Sequence, residues 1–300
     1  MHGLGLKRII RLSRPRFWIY LAGPFLIGFA SVDGMVRDFP ELWPLIVLTV
    51  LPFFLHFTFP ANLFLYGVND IFDEETDRLN EKKSSYETRL TSSSHTRAWF
   101  WIALWQLPVY FYFAYLLSFQ NVKTGMLQVL TAGLALILFY LFSFFYSAPP
   151  IRAKARPFLD SASNILYILP GLFAFLLFSP ISKLDWRLVA AASLWCMAMH
   201  AYSAVPDIKA DTDAKLKTIA TVLGKNRTLW LCACLYAGSV LLSAHALGWL
   251  GYALGAVYLL LIGLSLKTKT DKELFGYYKL FPWINTFSGA ALFLFIVTTR

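Results

Sequence analysis

Apolar residues run along this chain in long stretches separated by short polar breaks, and the stretches have the length a helix needs to cross a bilayer. Segmentation on runs of that length predicts nine spans: 16–32, 44–68, 99–119, 124–147, 158–179, 188–206, 228–246, 249–266 and 282–298. In hydrocarbon only a helix or a closed barrel satisfies its own backbone hydrogen bonds, and these runs are too continuous for barrel strands. The expected fold is therefore all-α, a polytopic membrane bundle of about nine transmembrane helices. With no low-complexity segment or flexible linker in view, residues 1–300 read as a single domain.

Composition agrees: 58% of the 300 residues are hydrophobic and 15% charged, with a mean hydropathy of +0.57. Basic residues then orient the spans. Counted loop by loop, 22 of the 27 Lys and Arg fall on the side of the N-terminus, which the positive-inside rule makes cytoplasmic. The basic N-terminal stretch (Lys7, Arg8, Arg11, Arg14, Arg16) leads into an apolar run with no convincing cleavage site, so that run reads as a retained first span. Cys196, Cys232 and Cys234 all lie in apolar segments, which fits neither a disulfide framework nor a zinc site.

Two acidic clusters break the pattern, each where a long apolar run ends on the cytoplasmic side. The first is NDIFDEETD, residues 69–77. If the helix from Pro44 runs through it, Asn69, Asp73 and Asp77 fall at i, i+4 and i+8, with Asp70 on the same face. The second is PDIKADTD, placing Asp207 and Asp211 at i, i+4 with Asp213 beyond. Either cluster alone is an ordinary solvated helix end. Together, on one side of the membrane, they point to a site, because ionisable residues at membrane depth mark function. Carboxylates so close repel unless a cation sits among them, and oxygen ligands suit a hard cation such as Mg2+, commonly held alongside substrate phosphates.

Cations are interleaved with these carboxylates: Arg78, Lys82 and Lys83 after the first cluster, and Lys209, Lys215 and Lys217 around the second. Between them lies FYSAPPIRAKARPFLD (145–160), where Pro149 and Pro150 stop the fourth span and stiffen a loop carrying Arg152, Lys154 and Arg156. Such a loop also serves as an ordinary lipid-headgroup anchor. With the carboxylates, it suits a diphosphate on an apolar tail: Mg2+ neutralises some phosphate oxygens and Arg78, Arg152, Lys154, Lys209 and Lys217 bind those left over. Tyr146 is the candidate aromatic face for a cationic reacting carbon. Most other aromatics read as membrane-interface belts, with Trp43, Trp99, Trp186 and Trp249 as examples, and His56 and His200 as hydrogen bonders between helices.

These residues resemble the UbiA superfamily of intramembrane prenyltransferases. NDIFDEETD is similar to its NDxxDxxxD motif, DIKAD with the following KLKTIATVLG to its DxxxD motif, and YSAPPIRAKARPFLD to its connecting loop. The resemblance covers nearly the whole chain. It implies that Asn69, Asp73, Asp77, Asp207 and Asp211 hold two Mg2+ ions bridging to a prenyl diphosphate, with Asp70 in support, and that Asp73, Asp77, Asp207, Asp211 and Tyr146 form the catalytic set. SRPRFWIYLAGPFLIG, LNEKKSSYE and FLDSASNILYILP look most like the lycopene elongase branch, which adds C5 units to carotenoids. In one departure, Lys215 stands where family members often carry glycine.

The expectation is Mg2+-dependent transfer of a prenyl group from an allylic diphosphate, dimethylallyl diphosphate in the elongase reading, to an apolar lipid or carotenoid acceptor. Phe17, Phe25, Phe173, Phe175 and Phe287 are the expected apolar walls of the acceptor cavity. The site lies at the cytoplasmic side of a prokaryotic cytoplasmic membrane, with no nucleic-acid partner. The alternatives are prenylation of a quinone precursor or other polyprenyl lipid and, from another class, a proton- or cation-coupled secondary transporter. The carboxylates sit at helix ends, whereas transporter sites favour the midplane.

Overall fold

A computed structural model describes residues 5–74, 90, 92–118 and 125–299. Among them there are helices and no strands. Eight helical stretches are long and apolar enough to cross a membrane: Ile46–Phe72, Ser92–Ser118, Met126–Ser147, Leu159–Phe178, Trp186–Asp213, Ile219–Leu247, Trp249–Lys267 and Asp271–Thr299. This is an integral membrane protein. The run expected to be the first span is shorter than predicted. After helix α1 (Leu6–Leu12), the left-handed Arg14 and Pro15 start a 3-10 turn, and α2 covers only Ile19–Ala30. Twelve residues rise about 18 Å, short of the hydrocarbon thickness.

The chain divides into two compact units. The first comprises Met1–Ile151, Leu169–Leu184 and Phe293–Arg300. Its predicted second span is two helices joined at a kink, α3 (Phe39–Thr58) and α4 (Pro60–Phe72), because Pro60 has no N–H to continue the ladder and Phe59 is pulled from ideal helical torsions to φ −105° and ψ −60°. The buried Asn62 amide donates to the freed carbonyls of Phe57 (2.9 Å) and Thr58 (2.8 Å). A second repair comes from α5 (Ser92–Ser118) and α6 (Met126–Ser147). Gln106 Nε2 donates to the Pro60 carbonyl at 2.9 Å, and the Tyr140 hydroxyl donates to Gln106 Oε1 at 2.7 Å and accepts from His56 Nε2 at 2.9 Å. His56 is thus the helix-packing hydrogen bonder its sequence setting suggested.

Helix α2 crosses the segment Leu169–Phe178 at backbone contact: a Cβ added at Gly28 would lie 2.0 Å from the Gly171 carbonyl oxygen. The space beside this crossing is filled by rings. Phe25, Phe53, Phe57, Phe139 and Phe173 are all fully buried, with Phe53 and Phe173 centroids 4.7 Å apart. Phe25 and Phe173 are therefore core rings rather than walls of an open acceptor cavity, and Phe287 is 69% exposed. Trp43, Trp186 and Trp249 are exposed, whereas Trp99 packs on Phe72 and Phe144 rather than standing free in a belt.

The second unit comprises Arg152–Ile168 and Asp185–Leu292. It holds α7 (Leu159–Ala162) with a following 3-10 stretch to Ile168; the segment Leu169–Phe178, named α8, belongs to the first unit. The remaining helices are α9 (Trp186–Ala204), α10 (Ile208–Asp213), α11 (Ile219–Leu247), α12 (Trp249–Lys267), α13 (Asp271–Tyr278) and α14 (Phe281–Thr299), the last counted here only as far as Leu292. Buried hydroxyls join the long helices: Tyr202 and Ser265 share a hydrogen bond at 3.0 Å, and Tyr258 donates to Asn285 at 2.9 Å. Asp185 caps α9 and meets His245 at 2.5 Å, a hydrogen bond that holds its carboxyl below the usual range.

The glycine crossing yields a test. Gly28→Val should lower stability by about 3 kcal/mol or more, because a backbone carbonyl must move to admit the side chain. Gly263→Val, where an added Cβ meets open space, should change it little. Thermal unfolding of the two variants in detergent measures the difference.

Candidate functional site

In the first unit, α4 begins at Pro60 and ends at Phe72, so the first acidic motif straddles a helix end rather than lying on one continuous face. Asn69 and Asp70 occupy the last turn. Asp73 is the C-terminal cap, with φ −103° and ψ 3°. Asp77 and Arg78, with Lys82 and Lys83, lie outside the described residues. Asp70 is 5% exposed and Asp73 8%, so both carboxylates are held away from water.

Arg14 compensates the first of these. Its guanidinium donates to Asp70 Oδ1 at 2.7 Å and lies 4.7 Å from the Tyr66 ring centroid, one helical turn before Asp70. Arg14 reaches this place through a left-handed backbone (φ 51°). Asn69 Oδ1 accepts from the Ser147 hydroxyl at 2.8 Å. Ser147 ends α6 and begins the SAPP turn, so the two stretches singled out in the sequence meet directly, and Tyr146, half-buried, is the residue just before that contact. Glu74 accepts from the Ser92 hydroxyl at 2.7 Å and lies 3.3 Å from His95, tying the middle of the motif to the start of α5.

In the second unit, Pro206 ends α9 through a 3-10 turn (Val205–Asp207), and α10 follows. Asp207 and Asp211 are half-buried, while Lys209 and Lys217 are exposed. Helix α10 closes with paired hydrogen bonds, Lys215 N to Thr212 O at 3.0 Å and Leu216 N to Asp211 O at 2.8 Å. Lys215 stands at the left-handed position of this cap (φ 55°), the place a glycine fills most easily. That is the physical reason for a glycine there, and the turn forms with lysine all the same.

In the basic loop, Arg152 is left-handed (φ 42°), and its Nε is buried with no hydrogen-bond partner among the described residues. A buried guanidinium N–H without an acceptor is costly, and an anionic oxygen would satisfy it. Lys154 is half-buried in the next turn and Arg156 is exposed. Sequence reasoning passed over Asp160, which is fully buried and accepts from the Ile219 backbone N–H at 2.6 Å. The available signal was a lone carboxylate opening an apolar run.

Among the described residues, no three His, Cys, Asp or Glu side chains gather into a ready metal centre. The donors nonetheless suit a hard cation. Asn69, Asp70 and Asp73 in one unit and Asp207 and Asp211 in the other offer oxygen alone. Mg2+ is commonly completed by water and substrate phosphate rather than by an all-protein cage, so a sparse protein set is compatible with it.

Residues 50–273 match the UbiA prenyltransferase family. The lycopene elongase/hydratase of Haloferax volcanii is 36% identical over 295 residues, covering 97% of this chain and 90% of that protein. The lycopene elongase/hydratase of Corynebacterium glutamicum is 29% identical over 299 residues, with 97% of each chain covered. In fold, the chain resembles a UbiA homologue from Archaeoglobus fulgidus solved bound to GPP and Mg2+. The TM-score is 0.66 at 20% identity, over 95% of this chain and 99% of that one.

Two predictions follow from the geometry. Arg14→Ala removes the guanidinium bound to the buried Asp70 carboxylate and should cost about 3 kcal/mol; adding Asp70→Asn should recover most of that loss, read by thermal unfolding of the single and double variants. Lys215→Gly should stabilise by about 0.5–1 kcal/mol, because relief of left-handed strain outweighs the added freedom of the unfolded chain.

Proposed function

The chain belongs to the UbiA prenyltransferase family, and from that premise we propose that it adds a C5 unit from dimethylallyl diphosphate to lycopene in a Mg2+-dependent reaction at the cytoplasmic side of the membrane. The observation that carries this reading is the 36% identity, across 97% of the chain, to a protein named lycopene elongase/hydratase. Asn69, Asp70, Asp73 and Asp77 of the first motif and Asp207 and Asp211 of the second would hold Mg2+, which supplies positive charge to the departing diphosphate. Residues 1–300 act in this reading as one functional domain, both motifs serving the same turnover.

The chain's own groups do the rest. Arg78, Arg152, Lys154, Lys209 and Lys217 bind diphosphate oxygens, and the buried Nε of Arg152 supports this role for the loop. The bond between the allylic carbon and oxygen breaks with its electron pair going to diphosphate, and the face of Tyr146 steadies the cationic fragment. A terminal double bond of the acceptor attacks the allylic carbon. The resulting tertiary cation then loses a neighbouring proton or captures water.

The test uses purified protein in liposomes with Mg2+, dimethylallyl diphosphate and either lycopene or a hydroxybenzoate. Lycopene should gain one C5H8 unit, with or without a water, by mass. Chelator, Asp73→Ala and Asp207→Ala should each abolish the gain while the protein stays folded. Prenylation of the aromatic acid with lycopene untouched would overturn the acceptor assignment, and undiminished turnover in chelator would overturn the metal's role.

A further inference from the structure

Asp160 closes the connecting-loop stretch 145–160, and its carboxylate, so far given no role, is the most enclosed acidic group of the second unit, with no exposed surface. Its Oδ1 accepts from the backbone N–H of Ser161 at 2.8 Å, and its Oδ2 accepts from the backbone N–H of Ile219 at 2.6 Å. His200 Nε2 on α9 lies 4.0 Å from the same Oδ2. Ile219 is the first residue of α11, where backbone N–H groups are unpaired and the helix dipole favours negative charge. A charged acceptor buried at that point fixes where α11 starts.

The residue before that start is Thr218, itself buried, and it faces the second acidic motif. Its hydroxyl lies 3.4 Å from Asp211 Oδ2, its backbone N–H donates to Thr221 Oγ1 at 2.8 Å, and two residues upstream Leu216 N–H donates to the Asp211 carbonyl at 2.8 Å. The chain from Asp211 to Ile219 is thus a closed strap. One end is sealed by the Asp211 backbone and the other is pinned by Asp160, with the Thr218 hydroxyl carried between. At 3.4 Å the Thr218–Asp211 contact is weak by itself. Its persistence depends on the strap being held, and the charge-assisted bond from Ile219 to Asp160 is the shortest contact holding it.

We propose that Asp160 is a positioning residue: by anchoring the first N–H of α11, it holds Thr218 against Asp211 and so sets the orientation in which Asp211 presents its other oxygen. This rests on the reading of Asp211 as a metal ligand. Groups that orient a metal-binding carboxylate from behind change metal affinity by about 10- to 100-fold when removed. In Asp160→Asn, the side chain has only one acceptor oxygen for the two backbone N–H groups that now share a carboxylate. Asp160→Glu keeps the charge with a longer reach.

The experiment measures Mn2+ binding by electron paramagnetic resonance on the full-length protein in detergent, with no prenyl substrate, together with turnover at varied Mg2+. Asp160→Asn should raise the Mn2+ Kd and the Mg2+ concentration for half-maximal turnover by the same factor, about tenfold. Saturating Mg2+ should restore kcat, and KM for the acceptor should not move. Thr218→Val, which keeps Asp160 on the Ile219 N–H but removes both the contact to Asp211 and the hydroxyl that caps α11, should shift both in the same direction by less, and Asp160→Glu should recover part of the loss. Thr218→Val keeps the test decisive where Asp160→Asn fails to fold. Unchanged Mn2+ affinity in Thr218→Val and in a folded Asp160→Asn, alongside clear weakening in Asp211→Asn, would overturn the proposal and leave the metal assignment standing. Unchanged affinity in Asp211→Asn would overturn both.

Discussion

A carboxylate withdrawn from water must be answered by donors or cations from within the chain, and that requirement organises each compact unit here. Asp70 is answered by Arg14, fifty-six residues earlier, and the pairing brings the N-terminal segment onto the last turn of α4. Asp160 is answered by the backbone at the head of α11, which fixes where that helix begins. Leaving such a charge unpaired costs several kcal/mol, against a total folding stability of about 5–15 kcal/mol for a typical protein. These contacts therefore decide local conformation, while exposed pairs such as Arg37–Asp38 add little.

Backbone strain collects around the same places. Four non-glycine residues have positive φ among the described residues: Arg14, Arg152, Phe158 and Lys215. Three carry positive charge, and each of those sits beside a stretch marked by its chemistry: Arg14 on Asp70, Arg152 in the basic loop and Lys215 at the close of α10. A left-handed residue costs about 1–2 kcal/mol when it has a side chain. At Arg14 the ion pair offsets that cost. At Arg152 the buried Nε has no hydrogen-bond partner among the described residues.

Much of the architecture was legible from the pattern of apolar runs, because in a bilayer run length and helix length are nearly the same quantity. The acidic motifs were legible for a related reason: charge at the edge of hydrocarbon stands out in a sequence. The kink at Phe59 was harder to see. Pro60 announces it, but Pro24, Pro52 and Pro108 lie inside helices that continue, so proline alone does not mark where one helix gives way to the next. The roles of Phe25 and Phe173 were invisible, since a ring packed in a core and a ring lining a cavity have the same sequence signature. Arg14 and Asp160 were missed because their partners are distant in the chain, one a side chain and the other a backbone N–H that no residue type encodes.

The kink at Pro60 has a consequence for how this membrane protein can vary. In a single continuous helix, inserting or deleting one residue anywhere upstream would rotate every later side chain by about 100° and swing Asn69 and Asp70 away from Ser147 and Arg14. Phe59 keeps right-handed torsions, its N–H reaches the Leu55 carbonyl at 3.2 Å and its carbonyl takes the Leu63 N–H at 2.9 Å, so the helical phase passes through the kink and the outer segment Phe39–Thr58 stays coupled to the motif. Its length can follow the thickness of the host bilayer only by additions at its outer end, near Phe39, which leave every later side chain where it is.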